Sequence, residues 1–288
     1  MDYAAIVVLE ILYMIAFLAL ISAGLAIVFG MMRVINLAHG EFVMLGGYAT
    51  IKCSQLGINI FLCMLVISPI VVGLVGLVVE RLIVRFLYGR MIDTMLATWG
   101  LSLLLTGLVT LIFGNTAMSV TAPIKDYSVG AYHMGGHNLF IIAITVLLVL
   151  GLWLVLRYTR VGLIARGAMQ SAEVVASLGY NPNTVYMLTF TAGAALSGLA
   201  GGVLAPLTGL LPSVGSIYIA KAFITVITGG AAVIAGTLSA AFLFGTIDQI
   251  VSFASTPVVG ELAMLVLAIV LLRLMPQGIT GRFFRNST

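Results

Sequence analysis

The sequence predicts an all-α, polytopic membrane bundle of about eight or nine membrane segments, some of them short or broken, and three observations carry that reading. The chain has 288 residues, of which 62% are hydrophobic and only 8% charged, with a mean hydropathy of +1.23. A soluble globular domain carries roughly a quarter charged residues. Apolar runs of about 18 residues or more recur along the length, each long enough to cross a hydrocarbon core as a helix. Backbone groups in lipid must pair within their own segment, so helices are the default. A membrane barrel would instead show alternating stretches of about ten residues, and those are absent.

Segment one is expected from about Ala4 to Gly30, with Glu10 among its few polar residues. The N-terminus has no basic region, and this first run is too long for a cleaved signal, so the helix is expected to stay in the membrane. A polar cluster, Arg33 to Glu41, leads into a short second segment, about Val34 to Ile51. Segment three, about Ile60 to Val79, ends in Glu80, Arg81, Arg85 and Arg90. Segment four spans about Thr94 to Phe113, and a polar loop without Arg runs from Gly114 to His137. Segment five, about Asn138 to Leu156, closes on Arg157, Arg160 and Arg166. A moderately polar stretch then reaches Asn183, and segment six follows from about Val185 to Leu207. Segment seven is short, about Ile217 to Ala232, with Lys221 and Gly229-Gly230 in it. Segments eight and nine run to about Ile247 and from about Val258 to Leu272, before a basic tail, Arg273 to Thr288. Residues 1–288 read as a single transmembrane domain in which 158–183 is a cytoplasmic segment.

Orientation follows from the basic residues, which gather on the cytoplasmic side of membrane proteins. Arg33, the Arg81–Arg90 group, the Arg157–Arg166 group and the tail fall on one side if the N-terminus lies outside and the C-terminus in the cytoplasm. Short, glycine-interrupted segments two and seven are candidates for broken helices lining a pathway. The net charge of +4 is a topology signal, and no nucleic-acid partner is expected; membrane lipid is.

No stretch matches GxxxxGK[ST], and the nearest glycine-rich run, Gly229 to Gly236, has no Lys, so ATP chemistry through a P-loop is not expected in this chain. His39-Gly-Glu41 is not HExxH, and with His133 and His137 far off in sequence no metal site is expected. Ser213 and Ser216 have no triad partner, and Cys53 and Cys63 form no CxxC pattern. No catalysis and no cofactor of its own are expected.

Two constellations remain. In the first, Asn36, His39 and Gly40 share one helical face, with Glu41 about 200° round from His39. If the helix starts or breaks here, Asn36 serves as N-cap and Gly40 permits close backbone approach. The cluster is then either a structural turn that seats segment two or a set of groups bordering a solute pathway. In the second, Ala168, Ala172, Ala176 and Gly179 lie at helical spacing, with Glu173 outside that face. A cytoplasmic helix with a small-residue face, ended by Gly179 and Pro182, suits docking into a partner's groove; a plain amphipathic connector on the membrane surface is the alternative.

Gly24-Leu-Ala-Ile-Val-Phe-Gly30, Val34-Ile-Asn-Leu-Ala-His-Gly-Glu41 and Met44-Leu-Gly-Gly-Tyr48 closely resemble the permease subunits of branched-chain amino acid ABC importers. The resemblance continues through Thr159-Arg-Val-Gly162, Leu188-Thr-Phe190, Lys221-Ala-Phe223, Gly229-Gly230 and Pro276-Gln-Gly278, and covers nearly the whole chain. It implies a permease subunit that forms a translocation pathway with a second homologous permease subunit. Two cytoplasmic ATP-binding subunits, which would carry ATP and Mg, and an external solute-binding protein would complete the importer in the cell inner membrane. By the same resemblance, the segment with Arg160, Arg166, Glu173 and Gly179 docks the ATPase, while Asn36, His39, Gly40 and Glu41 match the family's motif.

Two departures bear on substrate. Gly229-Gly230 is followed here by Ala-Ala-Val-Ile234, where many relatives have Gly and a small polar residue. Arg85-Phe-Leu-Tyr-Gly-Arg90 and Leu96-Ala-Thr-Trp-Gly100 look like the urea-importing branch of the same family. Urea and short amides therefore stand beside branched-chain amino acids as expected solutes. A reading of another class, an ion-coupled carrier or channel using Glu41, His39 and Asp248, predicts uptake by the lone chain that depends on an ion gradient and ignores ATP.

Overall fold

Helix α1, Asp2–Met32, ends where Arg33 takes a left-handed conformation, φ 52°, its N–H still bonded to the Phe29 carbonyl at 2.9 Å. The computed structural model describes residues 2–129, 132–230 and 232–283; Ala231 and the last residues of the basic tail, 284–288, lie outside them. Among the described residues seven helices are long and apolar enough to cross a membrane: Ile6–Met32, Ile60–Leu82, Met91–Phe113, Gly136–Tyr158, Pro182–Leu204, Val233–Ala254 and Pro257–Gly281. The chain is a polytopic helical bundle. Two further helices, α2 (His39–Gln55) and Val214–Gly229, are short, and they coincide with segments two and seven.

At 17 and 16 residues these two span about 24 to 26 Å, less than the roughly 30 Å of a hydrocarbon core. Segment two was expected to begin at Val34, but the helix starts only at His39. The intervening residues 33–38 are non-helical because the Arg33 backbone turns left-handed and Asn36 closes its own local turn.

The third segment is α3 (Ile60–Leu62), a widened π-turn over Cys63–Ile67, and α4 (Ser68–Leu82). Pro69 explains the widening: it lacks the N–H that would bond back into the preceding turn. A 3-10 turn, Val84–Leu87, leads to α5, Met91–Phe113. The following loop holds an antiparallel hairpin, β1 (Tyr127–Val129) with β2 (Tyr132–Met134), in the register Ser128 opposite His133. This hairpin was not foreseen from composition. Helix α6 is Gly136–Tyr158.

The expected single helix carrying Ala168 to Gly179 is two short ones, α7 (Arg160–Gln170) and α8 (Ala172–Ser177). Ser171 adopts an extended backbone, φ −155° and ψ 110°, and its hydroxyl caps α8 by accepting from the Val174 N–H at 3.3 Å. The small-residue face therefore does not persist: Ala168 is buried, while Ala176 and Gly179 are exposed. Helix α9, Pro182–Leu204, begins with Asn181 as N-cap and Pro182 in its first turn. Then come α10 (Val214–Gly229), α11 (Val233–Ala254), α12 (Pro257–Leu274, capped by Thr256) and α13 (Gly278–Phe283).

The chain divides into two compact units. One comprises Met1–Ser22, Ala122–Val149 and Lys221–Thr288. Its most defined feature is a clamp on the α10–α11 turn. Thr280 donates to the Gly229 carbonyl at 2.7 Å and accepts from the Ala232 N–H at 3.2 Å. The other unit comprises Ala23–Thr121 and Leu150–Ala220, and α2, α4 and α9 form its centre. These three helices pack through small residues. A Cβ on Gly46 would meet the Gly198 backbone, one on Gly201 the Val43 carbonyl, and one on Gly76 the Ala194 side chain. The Ser68 hydroxyl lies between the carbonyls of Gly46 and Gly198, at 2.9 and 2.6 Å. Between helices in lipid, such close approach supplies the dispersion contact that hydrophobic exclusion cannot.

Candidate functional site

Beyond Arg33 the polar turn to Glu41 is largely buried inside the second unit, and Asn36, His39 and Glu41 each find a different neighbour. Arg33 is exposed; Asn36, His39 and Glu41 are each only 2% exposed. Asn36 does not cap α2, because the helix begins three residues later with Ala38 as N-cap and no side-chain capping bond. Instead Asn36 Oδ1 accepts from the Ala38 N–H at 3.0 Å, while its carbonyl accepts from the His39 N–H at 3.3 Å. This is the local side-chain-to-backbone turn that Asn favours over helix. Thr98, on α5, holds the same turn from outside. Its hydroxyl accepts from the Leu37 N–H at 3.1 Å and donates to its own helix at Thr94, 2.8 Å away.

His39 reaches across to α9, where its Nδ1 lies 3.1 Å from the Ser197 hydroxyl. The Ser197 hydroxyl also donates to the Gly193 carbonyl at 2.8 Å, so one side chain ties the His39 ring to the backbone of α9. Glu41 points elsewhere: it hydrogen-bonds Ser102 of α5, and its Oε1 lies against Gly215 at the start of α10. Its second carboxylate oxygen is buried with no hydrogen-bond partner among the described residues. Gly40 sits where α2 meets α10, and a Cβ there would overlap the Gly215 carbonyl. The structure thus brings Asn36, His39 and Glu41 into one turn but aims them apart. His39 and Glu41 fall on different sides of α2, while Asn36 lies outside the helix face it was expected to share with His39 and Gly40.

Ser197, Thr98, Ser102 and Gly215 were not singled out from the sequence. The one available signal was the four-residue spacing of Gly193, Ser197 and Gly201, a small-residue stripe of the kind that lets helices approach. Asp248 lies in the other unit, on α11, 4% exposed and within electrostatic reach of Lys221 and Glu261. Lys221 and Glu261 form an ion pair at 3.2 Å.

The second candidate region is α7, α8 and the turn into α9. Arg160, Arg166, Glu173 and Gly179 are all exposed, and Gly179 has the positive φ, 89°, that ends α8. Thr159 caps α7 by accepting from the Gly162 N–H at 3.1 Å. Behind these helices runs an apolar groove of about 380 Å³, walled by Ile27, Leu152, Leu156, Ala165 and Leu188. A smaller cleft of about 230 Å³ lies beside it, lined by Glu80, Arg81, Arg85, Asn181 and Thr184. Tyr88 donates to the buried Glu80 carboxylate from the connector after α4, and packs edge-on against Tyr186. Burial, and next the bond to Glu80, push the Tyr88 phenol well above its ordinary range. Among the described residues no group of three or more His, Cys, Asp or Glu is placed to hold a metal ion.

Comparison with known proteins gives a consistent result. Residues 7–275 match the family model described as the permease component of branched-chain amino acid transport systems. The chain is 27% identical over 284 residues to the high-affinity branched-chain amino acid transport permease LivH of Salmonella typhimurium, covering 92% of this chain and 91% of that protein. It is 28% identical over 281 residues to BraD of Pseudomonas aeruginosa, a protein of the same description, with 92% and 91% covered. The probable LivH of Methanocaldococcus jannaschii is 26% identical over 284 residues, with 92% and 88% covered. No solved structure matches the chain.

Proposed function

We propose, from the premise that this chain belongs to the family of permease components of branched-chain amino acid transport systems, that it is the membrane-spanning subunit of an ATP-driven importer for branched-chain amino acids. The match over residues 7–275 is the observation that carries the reading. In it, the chain pairs with a second homologous permease subunit, and solute arrives from an external binding protein. Two cytoplasmic subunits bind ATP and Mg and supply the energy. The protein sits in the inner membrane with its N-terminus outside and its C-terminus in the cytoplasm. This orientation keeps Arg33, the Arg81–Arg90 group and the Arg157–Arg166 group on the cytoplasmic side, provided that short α2 and α10 cross as well.

Transport is alternating access. ATP binding closes the ATPase pair, and α7 and α8 carry that motion into the bundle. The exposed Arg160, Arg166 and Glu173 support that docking role, as does their position in short, capped helices between α6 and α9. The polar turn at Asn36 to Glu41 is a structural element in this reading: burial and the separate partners of its side chains support a role in seating α2.

The deciding experiment is uptake of labelled leucine and labelled urea by cells lacking this subunit. Loss of leucine uptake alone supports the reading; loss of urea uptake alone moves the chain to the urea-importing branch. An assembled complex without solute-stimulated ATP hydrolysis, whose transport survives removal of Ala168–Gly179, would refute it.

A further inference from the structure

Three ionisable residues lie near one another in the first unit at a depth where charge is costly. Lys221 is the eighth residue of α10, Asp248 the seventh from the end of α11, and Glu261 the fifth of α12. The short α11–α12 connection makes those two helices antiparallel neighbours. At about 1.5 Å per residue, all three side chains lie some 6 to 10 Å in from the ends of their helices, toward the same side of the bundle. In the orientation proposed above, that side is external.

Lys221 and Glu261 are paired at 3.2 Å, and two properties distinguish the cluster from an ordinary structural ion pair. Two ion pairs form among the described residues, Arg90–Asp93 and Lys221–Glu261, and Asp248 belongs to neither. With one ammonium and two carboxylates, the cluster has a surplus acid. Lastly, it is not sealed: the Lys221 side chain is 16% exposed and Glu261 46%, although Asp248 is 4% exposed. A partly exposed ion pair this close to the helix ends is cheaper against water or a polar partner than against hydrocarbon, where charges are expensive.

We propose that Lys221, Asp248 and Glu261 form a binding site for the charged head of a zwitterionic amino acid on the external side of the pathway. The solute ammonium goes to Asp248 and Glu261, and the solute carboxylate goes to the Lys221 ammonium. The proposal rests on the importer reading above and adds the residues that recognise the solute's charge. The chemistry is an exchange of ion-pair partners. Opening Lys221–Glu261 toward water alone leaves the mostly covered Lys221 ammonium without its paired carboxylate, whereas opening it onto a zwitterion replaces each lost partner with one of the same sign. The surplus acid at Asp248 gives the ammonium a place to settle. An uncharged solute such as urea offers no such exchange. The apolar side chain makes no demand on the cluster, so discrimination among branched-chain amino acids stays with other groups.

The test uses the whole importer in proteoliposomes, with ATP inside and the binding protein outside, and labelled leucine and labelled urea as probes. The variants are Asp248→Asn, Lys221→Gln and the charge-exchanged double variant Lys221→Glu with Glu261→Lys. Basal ATP hydrolysis and the elution of the assembled complex are read alongside uptake. The expected result is that Asp248→Asn and the exchanged pair elute and hydrolyse ATP as the unaltered complex does, but lose leucine uptake about tenfold or more. A merely structural ion pair would be restored by the exchange, so leucine uptake at the unaltered rate in the double variant overturns the proposal. So does unaltered uptake in Asp248→Asn. If Asp248→Asn does not assemble, Lys221→Gln and the exchanged pair decide by the same criteria. If the unaltered complex imports no leucine at all, the importer reading fails and takes the proposal with it. That result is distinct from unaltered leucine import in the exchanged double variant.

Discussion

Gly40 and Gly215 meet backbone to backbone, so that a single added methyl at Gly40 would overlap the Gly215 carbonyl. The overlapped atom is main chain in α10, not the end of a flexible side chain. Relief therefore requires a helix to move. Gly40→Ala is expected to cost about 1 to 3 kcal/mol, read as a lowered thermal midpoint of the purified complex. A midpoint equal to that of the parent would show that α2 and α10 do not approach this closely in the membrane.

Asn36→Ala leaves the Ala38 N–H without its acceptor in a buried turn. The expected loss is about 1 to 3 kcal/mol, seen as less assembled protein in the membrane. Thr98→Val should act in the same direction by withdrawing the acceptor for the Leu37 N–H. If Asn36→Ala assembles fully yet abolishes uptake, the residue borders the pathway and the structural reading of the turn is wrong.

Tyr88 gives a dependence on pH with a defined sign. Its phenol is raised by burial and by its bond to Glu80, so the folded chain holds this proton more tightly than the unfolded chain does. The associated stability is present below the ordinary tyrosine range near 10, and it is lost as pH rises above that value. The thermal midpoint should therefore hold up to about pH 10 and fall as pH rises further, and fall less in Tyr88→Phe. Parallel curves for the two proteins would rule out this contribution.

Arg160 and Arg166 are exposed on α7. Replacing both with Glu should leave the bundle folded and weaken co-purification of the ATP-binding subunits about tenfold or more. Retention of those subunits at parental levels would place the docking contact elsewhere.

The spans were legible in the sequence because length and apolarity are local properties: hydropathy located the seven long helices and marked α2 and α10 as short. Turn geometry was not legible in the same way. The left-handed Arg33 and the self-closing Asn36 displaced the start of α2 to His39, and nothing in the hydrophobic pattern distinguishes such a turn from a first helical turn. Helical spacing from Ala168 to Gly179 suggested continuity, but Ser171 can cap a new helix as readily as continue an old one, and it caps. The partners of the polar turn were the least accessible. Thr98 lies 61 residues from Leu37, and Ser197 lies 158 residues from His39. Only the fold brings them together.

The Thr280 clamp sets an order of events during synthesis. The turn it closes, between Gly229 and Ala232, leaves the ribosome about fifty residues before Thr280 does. Both α11 and α12 must be made before the bond to Gly229 can form. Until then Gly230, with φ 84°, has no Gly278 to pack against. A nascent chain stalled within α12 would therefore carry an open hinge between its α10 and α11 helices, and an insertion machinery or a protease would meet that hinge before the bundle could close.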